Sequence, residues 1–258
     1  MGLGAQGLGG SRRRTVVFVA LGALLVYLLV RREVLGPDSF LLLAVLVPSI
    51  ILHEVSHGAL ALAFGDDTAQ KAGRLTLNPA RHVDPIGTLV LPGMLVLVGA
   101  APIGYAKPVP VRPARLRHPR NHGLLVSLVG PAVNIAIALA AAFALSTVIS
   151  GQLRAVLANS SESVLPLYIR FGHPSLVERV LFWLGYANVL LAAFNLIPIP
   201  PLDGSAVVER LLPARWWPGY LRLRQYSMLI LLAVVLLAPQ LVTRVFAPAL
   251  HAWEGLVA

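Results

Sequence analysis

The stretch that decides the fold is "SFLLLAVLVPSIILHEVSHGALALAF", residues 39–64. It is long enough to cross a bilayer, since a spanning helix needs about 20 apolar residues. Yet it contains two histidines and a glutamate, His53, Glu54 and His57, close together in the chain. Ionisable groups at membrane depth are costly to bury and are functional-site candidates by default. The segment therefore predicts a membrane helix that carries a buried polar site.

The composition of the whole chain is that of a membrane protein. Its 258 residues are 57% hydrophobic and only 12% charged, whereas soluble domains carry about 25% charged residues. The net charge is +10, but no basic stripe alternates with aromatic residues, so we expect no nucleic-acid binding. Lys and Arg in excess are typical of cytoplasmic loops instead. The chain has no cysteine, which excludes disulfides and thiolate metal sites.

Six apolar segments alternate with polar stretches along the chain. They are 15–30, 39–64, 86–104, 123–149, 178–198 and 226–247. The first follows a basic tail and is interpreted as a retained signal anchor. The third contains two prolines and four glycines, which favours a re-entrant element over a span. The sequence therefore predicts an all-α polytopic membrane protein with five to six transmembrane helices and a re-entrant element at 86–104.

The positions of the positive charges support this topology. If 86–104 re-enters, 15 of the 21 Lys and Arg residues lie on the cytoplasmic side, together with the N-terminus. If it spans, only 10 of the 21 do. Cytoplasmic loops are enriched in Lys and Arg, so the charge distribution favours re-entry.

The pentapeptide HEVSH, residues 53–57, matches the pattern H-E-x-x-H. Residues four apart lie on one face of a helix, so His53 and His57 can both bind one Zn²⁺. Glu54 adjoins the first histidine and is placed to accept a proton from water. The alternative is that both histidines are satisfied core residues. A second pair with the same spacing, His118 and His122, lacks a glutamate and lies in a basic loop, so we expect it to be solvated.

A hydrolytic zinc site needs a third protein ligand, and the predicted topology leaves two acidic candidates, Asp84 and Asp203. Asp203 follows a helix that ends in "IPIPP", residues 197–201. Irregular backbone at membrane depth is tolerated where it faces protein or a wet cavity, which would bring this carboxylate to a metal. The alternative is that "PPLDG" is a turn in which Asp203 caps the next helix. The residues alone do not decide between Asp203 and Asp84 as the third ligand, or between a ligand and a capping role for Asp203.

Four motifs in order complete the pattern. They are HEVSH, "GRLTLNPARHVDPIGT" at 73–88, "GPAVNI" at 130–135 and "NLIPIPPLDG" at 195–204. In these motifs, over residues 40–215, the chain resembles the site-2 proteases, a family of intramembrane zinc metalloproteases. The match looks like a compact form without PDZ or CBS modules. The resemblance implies one membrane-embedded protease domain over 1–258, with an N-terminal tail and anchor helix at 1–38, a catalytic core at 39–215 and a C-terminal helix at 216–258.

The resemblance also implies roles for individual residues. One Zn²⁺ per chain would be held by His53, His57 and Asp203, with Glu54 as the catalytic base. The motif asparagines Asn134 and Asn195 would contact substrate, or alternatively form hydrogen bonds between helices. His82 matches a family segment at 71–85 to which no role is assigned, and we expect it to be structural rather than a ligand.

The function implied by the resemblance is hydrolysis of peptide bonds in transmembrane segments of membrane-anchored proteins, as in regulated intramembrane proteolysis. The substrate would be a single-pass protein such as an anti-sigma factor or a membrane-bound regulator. The protein would lie in a bacterial plasma membrane, with its active-site mouth on the cytoplasmic side. Two alternatives are a zinc-binding transporter and a catalytically silent scaffold of the same family. The intact Glu54 argues against both, because neither needs a base beside a ligand.

Overall fold

A computed structural model describes residues 37–82, 84, 107–159, 165, 168–169, 172–237 and 239–258. The predicted anchor helix at 15–30 and the predicted re-entrant element at 86–104 lie outside these residues. Leu41–Arg81 and Pro108–Ala258 form one compact unit. The described residues 37–40, His82, Asp84 and Lys107 belong to a second unit.

Helices account for the regular structure of the described residues, among which there is no strand. The helices are α1 (Pro37–Ala63), α2 (Thr68–Lys71), α3 (Pro119–Val148), α4 (Gly151–Asn159), α5 (Leu176–Asn195), α6 (Ser205–Leu211), α7 (Trp217–Gln225), α8 (Ser227–Leu237) and α9 (Pro239–Glu254). Short 3-10 turns occur at Pro79–Arg81, Pro113–Arg115 and Ala214–Trp216. The predicted all-α class is confirmed.

Three of the described helices are long and apolar enough to cross a membrane. They contain the segments Phe40–Ala63, Pro119–Val148 and Leu176–Asn195. Along α3 the exposed side chains of Ile135, Leu139 and Phe143 follow one another at intervals of four residues. This spacing forms a single apolar stripe, which suits a helix face in contact with lipid.

The helix ends follow from local sequence. The third helix begins at Pro119, one turn before the predicted start at 123, because proline fits the first helical position even among polar residues. The fifth begins with a capping box, in which Ser175 and Glu178 each accept a hydrogen bond from the other's backbone N–H. The predicted segment 226–247 is helical on both sides of residue 238, and the helix continues to Glu254.

The core lies between α3, α5 and the end of α9. Phe182, Leu145 and Val257 are almost completely buried there. Trp253 of α9 donates from Nε1 to the carbonyl of Ala138 at 2.8 Å. Its ring occupies the space beside Gly185, where an added Cβ would lie 1.9 Å from the indole. The C-terminal helix is therefore packed against α3 and α5.

Candidate metal centre

The two histidines of HEVSH meet Asp203 at one point. His53 Nε2 and His57 Nε2 lie 3.1 Å apart on the buried face of α1. Asp203 Oδ2 lies 3.0 Å from the first of these nitrogens and 3.3 Å from the second. Among the described residues these three side chains form a group that could hold a metal ion, with ligand atoms all within 4.8 Å of one another.

Asp203 reaches the histidines from the loop between α5 and α6. Within it the N–H of Gly204 donates to the carbonyl of Asn195 at 2.6 Å, so the chain doubles back on the end of α5. A Cβ on Gly204 would lie 2.2 Å from the carbonyl oxygen of Leu196, which only glycine avoids. The N-cap of α6 is Gly204 itself, with no side-chain capping bond. The carboxylate of Asp203 is thus aimed at the histidines and does not cap the helix.

The tautomers of both histidines follow from what their Nδ1 atoms contact. His57 Nδ1 lies 2.5 Å from the carbonyl oxygen of Val126. A carbonyl only accepts hydrogen bonds, so this nitrogen must carry the proton. His53 Nδ1 lies 2.6 Å from Asn134 Oδ1, which is also an acceptor. In the neutral rings both Nε2 atoms therefore present lone pairs.

This arrangement fits a cation. Two bare Nε2 atoms and one carboxylate oxygen, all acceptors, face one another at 3.0–3.3 Å. The Oδ2 atom of Asp203 is buried and has no hydrogen-bond donor. Buried acceptors without a donor are costly, and a metal ion among them removes that cost. Two imidazoles and one carboxylate are a ligand set found in catalytic zinc sites.

Gly130 of the GPAVNI motif forms the wall of this site. A Cβ at this position would lie 2.4 Å from His57 Nε2 and 2.6 Å from His53 Cε1. The backbone of α3 thus approaches both rings as closely as only glycine allows. No local pattern in the sequence assigns this role to Gly130, because the role depends on contact with residues more than 70 positions away.

The carboxylate of Glu54 is half-buried and accepts a hydrogen bond from the backbone N–H of Val109 at 2.8 Å. Val109 stands between Pro108 and Pro110, which have no N–H. It is therefore the one donor that residues 108–110 can offer. The Val109 side chain packs at Gly58, where an added Cβ would come within 2.8 Å of it. The base predicted from the sequence is thus oriented by backbone from outside its own helix.

The segment 108–117 is held to the C-terminal end of α1 by further bonds. Asp66, fully buried, accepts from the Arg112 N–H at 2.5 Å and from the N–H and hydroxyl of Thr68. Burial alone would raise the pKa of Asp66, but these hydrogen bonds outweigh it and hold the pKa below its usual range. The N–H of Arg117 donates to the carbonyl of Phe64 at 3.0 Å.

The two motif asparagines occupy different environments. Asn134 is fully buried and engages His53 through Oδ1 and Asn188 Oδ1 through Nδ2, the latter at 2.7 Å. These contacts are those of the alternative left open above, hydrogen bonding between helices. Asn195 is half-buried, and its Nδ2 donates to the carbonyl of Leu191 in its own helix.

Three other histidines, His82, His118 and His122, are not part of the metal centre. His82 is buried, and its carbonyl accepts from the Lys107 N–H at 2.9 Å. His118 is exposed, as expected, whereas His122 is half-buried and stacks on Phe64 with ring centroids 3.9 Å apart. The latter departs from the predicted solvation because α3 begins at Pro119, and this turns His122 towards the end of α1.

Comparison with known proteins places the chain in a family. The model of Peptidase family M50 matches residues 41–238. "Putative zinc metalloprotease YwhC" of Bacillus subtilis is 38% identical over 172 residues, which cover 67% of this chain and 69% of that protein. "Putative zinc metalloprotease Rip2" of Mycobacterium tuberculosis (strain H37Rv) is 32% identical over 193 residues, 75% of this chain and 65% of that one.

A second Rip2, from Mycolicibacterium smegmatis, is 28% identical over 216 residues, 80% of this chain and 66% of its own length. The chain thus spans about two thirds of the length of each of these relatives. No solved structure matches it. By its family match, which covers most of the chain, this protein belongs to peptidase family M50, the site-2 proteases.

Proposed function

We propose that this protein is a zinc metalloendopeptidase that cuts peptide bonds within transmembrane segments of membrane-anchored proteins. The observation that carries the proposal is that Asp203 meets His53 and His57, which lie beside Glu54 on a helix apolar enough to span a bilayer. The names of the relatives support the metalloprotease class. The apolar helix around the site supports a substrate that lies in the membrane.

The chemistry divides between the ligands and the base. His53, His57 and Asp203 would hold one Zn²⁺, which when bound polarises the scissile carbonyl and acidifies water. Glu54 accepts a proton from the attacking water and delivers it to the nitrogen of the departing amine. The Val109 N–H holds this carboxylate in place. A helix hides its amide groups, so the substrate segment has to unwind before it reaches Glu54.

Partners and location are part of the same proposal. The positive charges on the polar stretches favour a cytoplasmic mouth for the site. A single-pass regulator or anti-sigma factor in a bacterial plasma membrane is the substrate class that fits such an enzyme. Because the chain has no cysteine, this orientation can be tested by single-cysteine labelling at Arg117, just before α3, and at Gln152, just after it; both residues are exposed.

The test of function is co-expression with candidate single-pass substrates. We expect the wild type to cut at least one of them within its apolar segment and Glu54→Gln to leave it intact. The variant should still bind zinc, because all three ligands remain. Equal cleavage by the two proteins would refute the protease proposal. Zinc movement across vesicles that depends on the histidines but not on Glu54 would favour the transporter instead.

A further inference from the structure

A chain of buried hydrogen bonds leads away from the metal centre through three helices. It begins at His53 Nδ1 and passes to Asn134 Oδ1 on α3. Asn134 Nδ2 donates to Asn188 Oδ1 on α5 at 2.7 Å. Asn188 Nδ2 donates to Ser49 Oγ on α1 at 2.8 Å. We call Asn134, Asn188 and Ser49 the polar relay.

The direction of every bond in the polar relay is set by backbone carbonyls. Asn188 Nδ2 also donates to the carbonyl of Leu184 at 2.8 Å, and the Ser49 hydroxyl donates to the carbonyl of Val45 at 2.7 Å. Carbonyls only accept, so the amide nitrogen of Asn188 must face Leu184 and its oxygen must face α3. The orientation of this amide therefore does not depend on a choice between equivalent rotamers.

The orientation of the Asn188 amide also determines which ring nitrogen of His53 carries the proton. Since Asn188 presents an oxygen, Asn134 must turn its amide nitrogen towards it. The Asn134 oxygen is then left for His53, which has to donate from Nδ1. With the proton on Nδ1, the lone pair of Nε2 faces His57 and Asp203.

The opposite tautomer would be favourable in the absence of a metal. If Asn134 turned its amide nitrogen to His53, the proton would move to Nε2. It would then donate to Asp203 Oδ2, which lies 3.0 Å away and has no donor. This state satisfies the carboxylate but hides the lone pair that a metal needs. The site can bind an ion readily only if another contact disfavours this Nε2-protonated tautomer of His53.

We propose that Asn188, through Asn134, is a positioning residue that holds His53 in the tautomer able to bind the metal. The proposal deepens the proposed function, on which it rests for the identity of the ion. The position of Asn188 supports it, because the side chain is completely buried in a helix that could span the membrane. A buried amide there is costly unless all its groups are bonded, and in the polar relay they are.

His57 shows why the relay is needed on one side only. Its Nδ1 meets the carbonyl of Val126 directly, so the backbone of α3 sets its tautomer without an intermediary. His53 is one turn earlier on α1 and meets a side chain that could turn either way. Asn188 removes that freedom.

The test measures tautomers before activity. In zinc-depleted protein labelled with ¹⁵N-histidine, NMR distinguishes protonated from bare ring nitrogens, and His53→Gln identifies the His53 signals. We expect His53 in the wild type to be protonated on Nδ1. In Asn188→Leu we expect the proton to move to Nε2, and zinc affinity measured against a chelator to fall about 10- to 100-fold, the usual effect of losing a residue that orients a metal ligand.

Val189→Ala is the matched control. Val189 neighbours Asn188 on α5, is buried in the apolar core and has no polar side-chain atom with which to join the polar relay. We expect it to lower the unfolding temperature but to leave both the His53 tautomer and zinc affinity unchanged. If Asn188 had only a structural role, Asn188→Leu and Val189→Ala would have the same His53 tautomer and similar zinc affinity.

The outcomes separate clearly. Nε2-protonated His53 in the metal-free wild type would overturn the proposal even if Asn188→Leu fails to fold. A folded Asn188→Leu with the wild-type tautomer and zinc affinity would also overturn it, as would equal zinc loss in Val189→Ala. Failure of the wild type to cut any substrate would instead refute the proposed function, and the tautomer result would stand.

Discussion

Replacing Gly130 with alanine tests the metal centre at its tightest contact. The new Cβ would lie 2.4 Å from His57 Nε2 and 2.6 Å from His53 Cε1. Comfortable separations between such atoms are about 3.5–4.0 Å, so the rings or the helix must move by about 1 Å. Zinc sites tolerate deviations in ligand distance of about 0.2 Å. The variant should therefore fold but lose the ligand geometry.

The expected size of the effect follows from the cost of overpacking. Extra atoms in a well-packed interior cost about 1–3 kcal/mol. If the zinc-bound state of Gly130→Ala carries this overpacking cost, its zinc affinity falls by about 5- to 150-fold, since each 1.4 kcal/mol is tenfold. Cleavage should fall at least as much at limiting zinc.

Gly123→Ala is the matched control, because it makes the same change in the same helix. A Cβ at Gly123 would meet nothing within 4 Å, so alanine there should stabilise the helix by about 0.8–1.0 kcal/mol. Zinc affinity measured against a competing chelator, with thermal unfolding in detergent, distinguishes the two variants. Wild-type zinc affinity in a folded Gly130→Ala protein would refute the assignment of this site.

Three further predictions concern separate contacts. Val109→Pro removes the N–H that orients Glu54, and a hydrogen bond to a charged group is worth about 1.5–3 kcal/mol. Cleavage should therefore fall about 10- to 150-fold while zinc is retained. Val109→Ala keeps the N–H and should cleave far better. Because the pKa of folded Asp66 is lowered, its contribution to stability is present above the unfolded value of about 3.9 and disappears as pH falls through the folded pKa. Chemical unfolding should therefore find Asp66→Asn less stable than wild type at pH 7, with the difference shrinking below about pH 4; a difference that does not change with pH would contradict this. Trp253→Phe keeps an aromatic ring but loses the indole N–H that bonds Ala138 and part of the buried ring volume, so it should cost at least about 0.5–1.5 kcal/mol in unfolding free energy, against about 3–5 for Trp253→Ala.

The parts of the site that depend on local sequence patterns could be predicted from the sequence. The four-residue spacing of His53 and His57 puts them on one helix face by geometry alone. The prolines after α5 indicated an irregular backbone, and the structure shows that this loop carries Asp203 to the histidines. The predicted all-α class followed from the apolar segments, which need no knowledge of packing.

What could not be predicted depends on contacts between distant segments. Asn188 and Ser49 are 139 positions apart, and their bond leaves no periodic trace in the chain. A weaker signal did exist, because both are polar residues within apolar segments, and Ser49 precedes His53 by four residues and so shares its helix face. Gly130 gave no such signal, since a glycine in a membrane helix is common.

His53, Glu54 and His57 are each oriented by a different part of the protein. His57 depends on the backbone of α3, and His53 on the polar relay between helices. Glu54 depends on the 108–117 segment, which is largely irregular and has seven of its ten residues exposed. Irregular, mostly exposed segments open at lower free energy than helix cores. Glu54 can therefore lose its orientation while both histidines keep theirs, so that catalysis is lost before the capacity to bind metal.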